Sequence, residues 1–389
     1  MTIFLIPESG SNLIKYLSRA FFLLTFVLYA ARHGMHMDTV YGAWAFMLSV
    51  IFSANLLFAQ ERRVAMNTWL LVIQAIWIAF LIGVWLKQSH GYAFLFHLIL
   101  LLSLFYCLRL VRYIGTISWG SRKFSTMLGT NVNSIGLRLS IAALLSLYLY
   151  YNTDHGLWKK AYLACVVVFV AFILVTGSRK ALLMAGIAFA FFSLKHAKNL
   201  KKKLKAILIV AVGLVIVYVL LVSIPQLYQI IGRRLQNLVA SALKKSSSSL
   251  SGADSDRIEM IRKGFEMFLE RPFFGWGMGG FRLVSGIDHA YSHNNVIELL
   301  SATGIFGCVV YYLIFFYLGW SIWKNGKMND EMILCFLFLV FSVISDMLAA
   351  NYTSLVAHWM LMIPLCMVSD DTFLKKELSR NDGKGICRV

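Results

Sequence analysis

The sequence predicts an all-α polytopic membrane protein with about 11–12 transmembrane helices and one long extracytoplasmic loop that contains short helices. Of the 389 residues, 59% are hydrophobic and only 14% are charged, whereas about a quarter of an ordinary soluble domain is charged. The apolar residues fall in blocks of about 20, which is the length that a helix needs to cross a bilayer. No segment alternates with the period of two that a membrane barrel strand requires.

Hydropathy places eleven candidate membrane spans along the chain. A twelfth crossing between 109 and 131 would move the N-terminus from the outside to the inside, and the basic residues of that stretch are the reason to consider it. The eleven spans are 17–32, 42–60, 67–86, 93–112, 132–151, 160–176, 179–194, 206–224, 296–322, 331–349 and 352–369.

Basic connectors orient these spans, because short loops rich in lysine and arginine stay on the cytoplasmic side. Six lysines lie between the span that ends at 194 and the span that begins at 206, and the C-terminal tail is also basic. We therefore expect four regions, of which only the second is a long non-membrane segment outside the cytoplasm. They are a helix bundle over 1–224, an extracytoplasmic loop with amphipathic helices over 225–292, C-terminal helices over 293–370 and a cytoplasmic tail over 371–389.

The net charge of +19 does not by itself indicate nucleic-acid binding. In a membrane protein, basic residues at helix ends report topology and contact with anionic lipid, and no nucleic-acid motif accompanies them here. The six cysteines are scattered without the spacing of metal ligands. The sequence also lacks a phosphate loop, a serine-hydrolase elbow and the His-Glu-x-x-His pair of zinc proteases. We expect neither nucleic acid nor a metal.

The long loop has internal order. Residues 226–243 repeat apolar positions at roughly helical spacing, and such a helix could lie on the membrane surface. A second helix is predicted at about 256–270, and it ends there because Pro272 cannot continue a helix. A turn over 273–281 follows, in which glycines allow the backbone to bend closely and aromatics supply a flat apolar surface. This composition is typical of a functional loop.

A polar run opens the next predicted span and contains the strongest catalytic candidate. His293 sits at the water–membrane boundary, and histidine is the side chain most easily tuned to act as a general base near neutral pH. Glu298, five residues on, could help to orient it only if the helix start is irregular. The alternative is structural: Ser292, Asn294 and Asn295 cap the helix and His293 is an interfacial aromatic. Residue types alone leave both interpretations open.

Two further charged positions are candidates for an anion site. Arg179 and Lys180 stand at the start of an apolar run, where charge is costly, and a guanidinium at a helix N-terminus can bind phosphate oxygens. The alternative is that they reach the lipid headgroups. Arg257 lies on the second loop helix, where a solvated charged face is the simpler explanation. Asp346, late in an apolar run, is a weaker candidate for a functional residue of any kind. Its alternative is a polar contact at the end of a helix.

These pieces together resemble the superfamily of bacterial O-antigen ligases and O-antigen, capsule or exopolysaccharide polymerases. The resemblance lies in the order and spacing of the motifs, is confined to about 170–310, and includes ten residues between the histidine and a following glycine. The motifs are Ser178–Lys180 at a helix start, Arg257 on a loop helix, the turn over 271–277, the run Ser292–Asn295, and Gly304.

The resemblance implies metal-independent, inverting glycosyl transfer from an undecaprenyl-diphosphate-linked saccharide to a saccharide acceptor, without a cofactor. It implies that Arg179 and Arg257 bind the diphosphate and that His293 takes the proton of the acceptor hydroxyl, with Asn294, Glu298 and Asp346 in support. It places the protein in the bacterial inner membrane, with its active site on the extracytoplasmic face. A flippase and a chain-length regulator are candidate protein partners.

Three functions are compatible with these residues. The string that begins at Ser292 looks more like the polymerases, which join lipid-linked repeat units. The first alternative is a ligase, which transfers the polysaccharide to lipid A-core. The second is a non-enzymatic transporter of a lipid-linked saccharide, but transporters place their sites near the midplane, usually between repeated halves, and no such repeat is visible.

Overall fold

A computed structural model of the chain contains helices and turns but no strands in the residues that it describes. These residues are 21, 24–29, 31–32, 39–111, 131–197, 199, 201, 203–204, 219, 223, 252–285, 291–326 and 328–370, and side chains are described from 256 onward in the helix that starts at 252. Several predictions lie wholly or partly outside them: the spans 17–32 and 206–224, the twelfth crossing at 109–131, the amphipathic segment 226–243 and the tail 371–389.

Eleven helices within the described ranges follow one another along the chain, and a short 3-10 turn, Leu56–Phe58, follows the first. They are α1 (Thr39–Asn55), α2 (Arg62–Ser89), α3 (Tyr92–Val111), α4 (Val132–Tyr151), α5 (Gly156–Thr176), α6 (Arg179–Lys195), α7 (Gly252–Glu270), α8 (Phe281–Val284), α9 (Asn295–Lys324), α10 (Asp330–Leu348) and α11 (Leu355–Val368).

Seven helices in the described part of the chain are long and apolar enough to cross a membrane, which confirms a polytopic α-helical membrane protein. They are α1 to α5, α9 and α10, and each coincides with a predicted span to within a few residues. The predicted span 352–369 is the shorter helix α11, which begins only after a turn at 351–354. The predicted loop helix is α7, which starts four residues earlier than expected and ends before Pro272.

The chain divides into two compact units, and each is described by itself. The first contains Met1–Tyr29 and Tyr92–Ala253, and the second contains Ala30–Gly91 and Asp254–Val389. In the first, α4 is buried along most of its length and packs against α3, α5 and α6. Gly136 on α4 allows this contact, because a Cβ there would lie 2.7 Å from Cβ of Ser178.

In the second unit, α1, α2, α9, α10 and α11 form the packed core. Polar side chains tie these helices together at depth. The indole of Trp44 on α1 donates to the Val310 carbonyl of α9 at 2.8 Å, and the Tyr41 hydroxyl donates to the Ile76 carbonyl of α2 at 3.2 Å. Such bonds satisfy backbone groups of neighbouring helices where no water is at hand.

Helix α9 is broken at Gly304, where the backbone has φ 66° and ψ −166°. The Cβ of any other residue at 304 would overlap the Phe273 backbone, so Gly304 receives a turn of the chain and not a second helix. Only glycine adopts this φ without strain.

Candidate functional site

The predicted site residues are divided between the two units. The second unit brings five of them onto neighbouring elements around the start of α9, whereas the sixth stands at the start of α6 in the first unit. The five are Arg257, His293, Asn294, Glu298 and Asp346, and the sixth is Arg179.

His293 sits in a strained turn immediately before α9. Its φ is 58°, in the left-handed region that residues other than glycine enter at a cost on the order of 1–3 kcal/mol. The ring is half-buried and packs against the Tyr291 ring at a tilt of 55°, with 4.2 Å between ring centroids. Asn294 caps the helix, because its Oδ1 accepts the Ile297 N–H at 3.1 Å. The strain falls on the one residue of the run that can transfer a proton near neutral pH.

The Glu298 side chain binds the backbone of the turn that contains His293. This side chain is 3% exposed, and Oε2 accepts the Ser292 N–H at 2.7 Å. The Ser292 hydroxyl then donates to the Asn294 carbonyl at 2.8 Å. The bonds on both sides of His293 therefore fix its backbone. The sequence allowed a supporting role for Glu298 only if the helix start is irregular. The irregularity is the left-handed backbone of His293, directly before the cap residue Asn294.

Tyr352, in the connection between α10 and α11, lies near the buried Glu298 side chain. Burial raises the pKa of this phenol well above its usual range, the nearby Glu298 carboxylate raises it further, and a hydrogen bond with the Gly279 backbone lowers it. The phenol is therefore neutral. It connects the base of the His293 turn with the glycine-rich turn that follows α7.

Asn295 is fully buried and uses its whole side-chain amide. Its Nδ2 donates to Asp346 Oδ2 at 3.0 Å and to the Tyr312 hydroxyl at 3.1 Å. Its Oδ1 accepts the N–H groups of Asn351 and Tyr352 at 2.7 and 2.8 Å. The structural alternative in the sequence analysis treated Asn295 as a helix cap, and this is wrong, because its partners lie farther along α9, on α10 and in the connection after α10.

Asp346 is the buried carboxylate of this network. It is 3% exposed and accepts hydrogen bonds from Asn295, from the Tyr312 hydroxyl at 3.1 Å and from Asn351 Nδ2 at 3.1 Å. Three donors compensate for the loss of water that burial imposes. Asp346 is thus a helix-terminal polar contact, as its structural interpretation stated, and this contact braces the start of α9.

Helix α7 packs its Gly264 face against the first turn of α9. A Cβ at Gly264 would overlap the Ile297 side chain, so the two elements touch there. Arg257 lies seven residues earlier, two helical turns along the same face of α7, and is half-buried. Met260, Met267 and Phe281 form the buried apolar cluster beside it. The structure therefore brings the Arg257 helix against the element that carries His293.

The outer face of α7 differs from the Arg257 face. Glu266 pairs with Lys263 at 3.0 Å and with Arg262 at 3.1 Å. The hydrogen bond from Lys263 lowers the pKa of Glu266 below its usual value, although the exposed pairs stabilise the helix little. Arg257 has no carboxylate partner among the residues whose side chains the structure describes. The solvated-face explanation thus suits Arg262 better than Arg257.

The turn after α7 is bound to the break in α9. The N–H groups of Trp276 and Gly277 donate to the carbonyls of Ser301 and Ala302 at 2.9 Å, and the Ile305 N–H donates to the Pro272 carbonyl at 2.8 Å. The break frees these α9 groups for the turn. The glycines close around α9, and the side chains of Phe273 and Phe274 remain exposed.

Asn55, at the end of α1, completes this junction. Its Nδ2 donates to the carbonyls of Phe274 and Ala302 at 2.7 and 3.1 Å, and its Oδ1 accepts the Met278 N–H at 2.9 Å. Sequence reasoning missed Asn55, as it missed the roles of Asn295 and Tyr352. A polar side chain at the end of an apolar run is the only signal that the sequence gave for it.

Arg179 opens α6 in the first unit, directly after the cap residue Ser178. Arg179 is half-buried, and its neighbour Lys180 is 7% exposed. A third basic side chain, Arg138 on α4, is 9% exposed and was not singled out in the sequence. Buried cations are costly and mark functional positions in membrane proteins. Three basic side chains of the first unit are therefore buried or half-buried.

The second unit brings together side chains that can act in acid–base chemistry and anion binding. No group of three metal-ligating side chains occurs in the part of the chain that the structure describes. The chemical groups are the imidazole of His293 in a fixed turn, a guanidinium on an adjoining helix, and two buried carboxylates, Glu298 and Asp346, that brace the start of α9. Such a set can take a proton and bind an anion.

Comparison with known families gives one match, between residues 163–312 and the Wzy_C family, described as O-antigen ligase. This family covers both O-antigen ligases and polymerases. No curated protein matches the chain. The matched segment contains Arg179, Arg257 and His293. This match confirms the resemblance predicted from the motifs: over residues 163–312, this polytopic membrane protein is similar to the O-antigen ligase and polymerase superfamily.

Proposed function

We propose that the protein polymerises undecaprenyl-diphosphate-linked oligosaccharide repeat units at the outer face of the bacterial inner membrane. The observation that carries the proposal is His293, held in a left-handed turn by Glu298 and Asn294 inside the family segment. A strained residue persists only where its surroundings fix it, and such residues cluster at functional sites.

In the proposed reaction, His293 removes the proton of an acceptor hydroxyl as that oxygen attacks the anomeric carbon of the donor. The new bond between carbon and oxygen forms as the bond to the diphosphate breaks, and the electron pair leaves with the lipid diphosphate. Attack from the opposite side inverts the anomeric centre. The proton stays on the imidazole until solvent removes it.

Arg179 and Arg257 are proposed to bind the diphosphate and to stabilise the charge that it gains on leaving. A guanidinium can donate two parallel hydrogen bonds to phosphate oxygens, and Arg179 adds the partial positive charge of a helix N-terminus. The proposed reaction uses no nucleotide sugar, metal or cofactor, because the leaving diphosphate already activates the donor.

A ligase is the second candidate, favoured by the description of the matched family. Polymerase and ligase share donor and chemistry and differ in the acceptor. The polymerase is preferred because the string Ser292–Leu300 looks more like that branch. A transporter is the third candidate, but it would not require a strained histidine on one side of the membrane.

Deletion of the gene separates these candidates. Loss of a polymerase leaves single repeat units on their normal acceptor, which electrophoresis of surface polysaccharide shows as one short band. Loss of a ligase leaves lipid A-core without repeat units while long lipid-linked chains accumulate, and this result would contradict the polymerase. A transporter defect would leave lipid-linked single units on the inner leaflet and no product outside.

A further inference from the structure

Helix α9 is longer than a membrane crossing requires. Its 30 residues extend over about 45 Å, whereas the hydrocarbon core of a bilayer is about 30 Å thick. The part that follows the Gly304 break, 305–324, extends over about 30 Å and is sufficient alone. The break thus falls where a crossing of ordinary length would begin.

The exposure of side chains changes at the same point. No residue from 295 to 304 is exposed, because the His293 turn, α10, Gly264 of α7 and the turn at 272–277 cover this part of the helix. From Ile305 onward, one face of α9 carries large exposed apolar side chains, the pattern of a helix in contact with lipid. They include Ile305, Phe306, Val309, Leu313, Phe316, Trp320 and Trp323.

Four exposed aromatic side chains meet beside the break and form what we call the aromatic edge: Phe58, Phe273, Phe274 and Phe306. Ring centroids lie 4.7 Å apart for Phe58 and Phe274, 5.6 Å for Phe274 and Phe306, and 6.1 Å for Phe273 and Phe306. Their exposed fractions range from 42% to 60%. The edge is rigid, because its turn is hydrogen-bonded to α9 and Asn55.

Exposed charged side chains adjoin the aromatic edge in the sequence, beside Phe273 and beside Phe58. The Arg271 guanidinium lies 3.9 Å from the Trp276 ring, and both Arg271 and Glu270 are exposed. Glu61, Arg62 and Arg63 are exposed at the start of α2, and Ala59 just before them touches Gly277. If this level lay inside the hydrocarbon, exposed charges of both signs would face lipid at a cost of several kcal/mol.

We infer that the aromatic edge lies at the headgroup–hydrocarbon boundary of the outer leaflet and that the crossing of α9 begins at Ile305. Exposed phenylalanine rings are stable in hydrocarbon and exposed arginines among the headgroups, so a surface that carries both side by side fits this boundary, and the edge is continuous with the lipid-facing stripe of α9. Residues 295–303 then form the base of a site outside the hydrocarbon. The start of α9 lies about 15 Å above Ile305 along the helix, and His293 precedes that start by two residues.

Nitroxide labels at single cysteines in lipid nanodiscs test this inference, which concerns the position of the site and holds for any reaction performed there. The background is the full chain with its six cysteines replaced. Labels at Phe273→Cys and Phe306→Cys should show intermediate accessibility to oxygen and to a nickel chelate. At Val309→Cys and then Phe316→Cys, the accessibility of the label to oxygen relative to the nickel chelate should rise progressively. The label at Val296→Cys should not show this rise. Arg262→Cys serves as the aqueous control.

A depth at Val296→Cys equal to that at Val309→Cys would place the break within the bilayer and overturn the inference. A label at Phe273→Cys that is immobile and inaccessible to both reagents would show that protein covers the edge, and this would also overturn it. If labelled variants fail to fold, a lipid-phase carbene reagent answers the question on the unmodified chain. It should modify 305–324 and the turn at 273–274 and leave 295–303 unmodified.

Discussion

At the scale of single residues, the site combines one strained side chain with groups that hold it. Asn294, Ser292 and Glu298 bond the backbone on both sides of His293, so the imidazole is presented by a fixed turn. Arg257 differs from its neighbour Arg262 on the same helix, because Arg262 pairs with Glu266 on the exposed face. That difference provides a matched control for the proposed diphosphate role.

Replacement of Arg257 by lysine keeps the charge and removes the two-pronged donor. We expect transfer to fall by about 10- to 100-fold, since hydrogen bonds to charged groups contribute about 1.5–3 kcal/mol. Arg179→Lys should behave similarly, whereas Arg262→Lys should leave the rate within about twofold. Initial rates with purified variants at equal expression decide this. Equal losses in Arg257→Lys and Arg262→Lys would assign Arg257 to the solvated face.

At the scale of elements, Glu298 is a positioning residue that acts through the turn. Glu298→Gln keeps an oxygen that can accept the Ser292 N–H, so transfer should fall less than about tenfold. Glu298→Ala leaves that buried N–H unsatisfied and should lower the rate constant at saturating substrate by a further tenfold or more. The pH at half-maximal rate should shift little in Glu298→Gln. Equal losses in both variants would indicate that the negative charge, and not the turn, is what matters.

The break in α9 is the second feature at this scale. Gly304→Ala should destabilise the protein by about 2 kcal/mol or more, because the new Cβ overlaps the Phe273 backbone at a φ that alanine avoids. Gly186→Ala on α6 is the control, since a Cβ there meets nothing within 4 Å. Heating in the presence of a thiol dye, which reports exposure of the buried cysteines, gives the midpoints. Unchanged midpoints in both variants would show that the break is not required.

Much of the helical fold could be predicted because apolar blocks of membrane length are a strong local signal. The spans 132–151 and 331–349 agree with α4 and α10 to within a residue. The break at Gly304 could not be predicted, since no proline or charged residue marks it and the cause is a turn about thirty residues earlier in the chain. Asn295 was misread for a similar reason, because its partners on α10 and after α10 are more than 50 residues away. His293 was found because a polar run before an apolar block is visible locally.

At the scale of the whole molecule, two contacts within the second unit constrain how often the chain crosses the membrane. The connection between α1 and α2 touches the turn after α7, where Ala59 meets Gly277, so both lie on one side. At the other side, His90 Nδ1 lies 2.7 Å from Asp370 Oδ2. Because Ala59 and Gly277 lie on the same side, the chain between them must cross the membrane an even number of times. Six predicted spans satisfy this, and an added crossing at 109–131 would not.

Cysteine labelling in intact spheroplasts tests this topology. Gln60→Cys and Ser247→Cys should react with an impermeant thiol reagent before lysis, and Ser89→Cys only after it, because the lysine-rich connector before 206 stays inside. Reaction of Gln60→Cys and Ser247→Cys at opposite faces would restore the twelfth crossing. Reaction of Ser247→Cys only after lysis would remove the external site and the lipid-linked donor with it.

The central claim is that His293 is the general base of transfer from a lipid-diphosphate donor. The most direct test is the turnover of purified protein with undecaprenyl-diphosphate-linked repeat unit in chelator-treated buffer. The wild-type chain should be active, and His293→Ala should transfer about 10²- to 10⁴-fold more slowly while it binds the donor normally. Near-normal turnover by a folded His293→Ala would contradict the claim and leave the run from Ser292 to Asn295 as a helix start only.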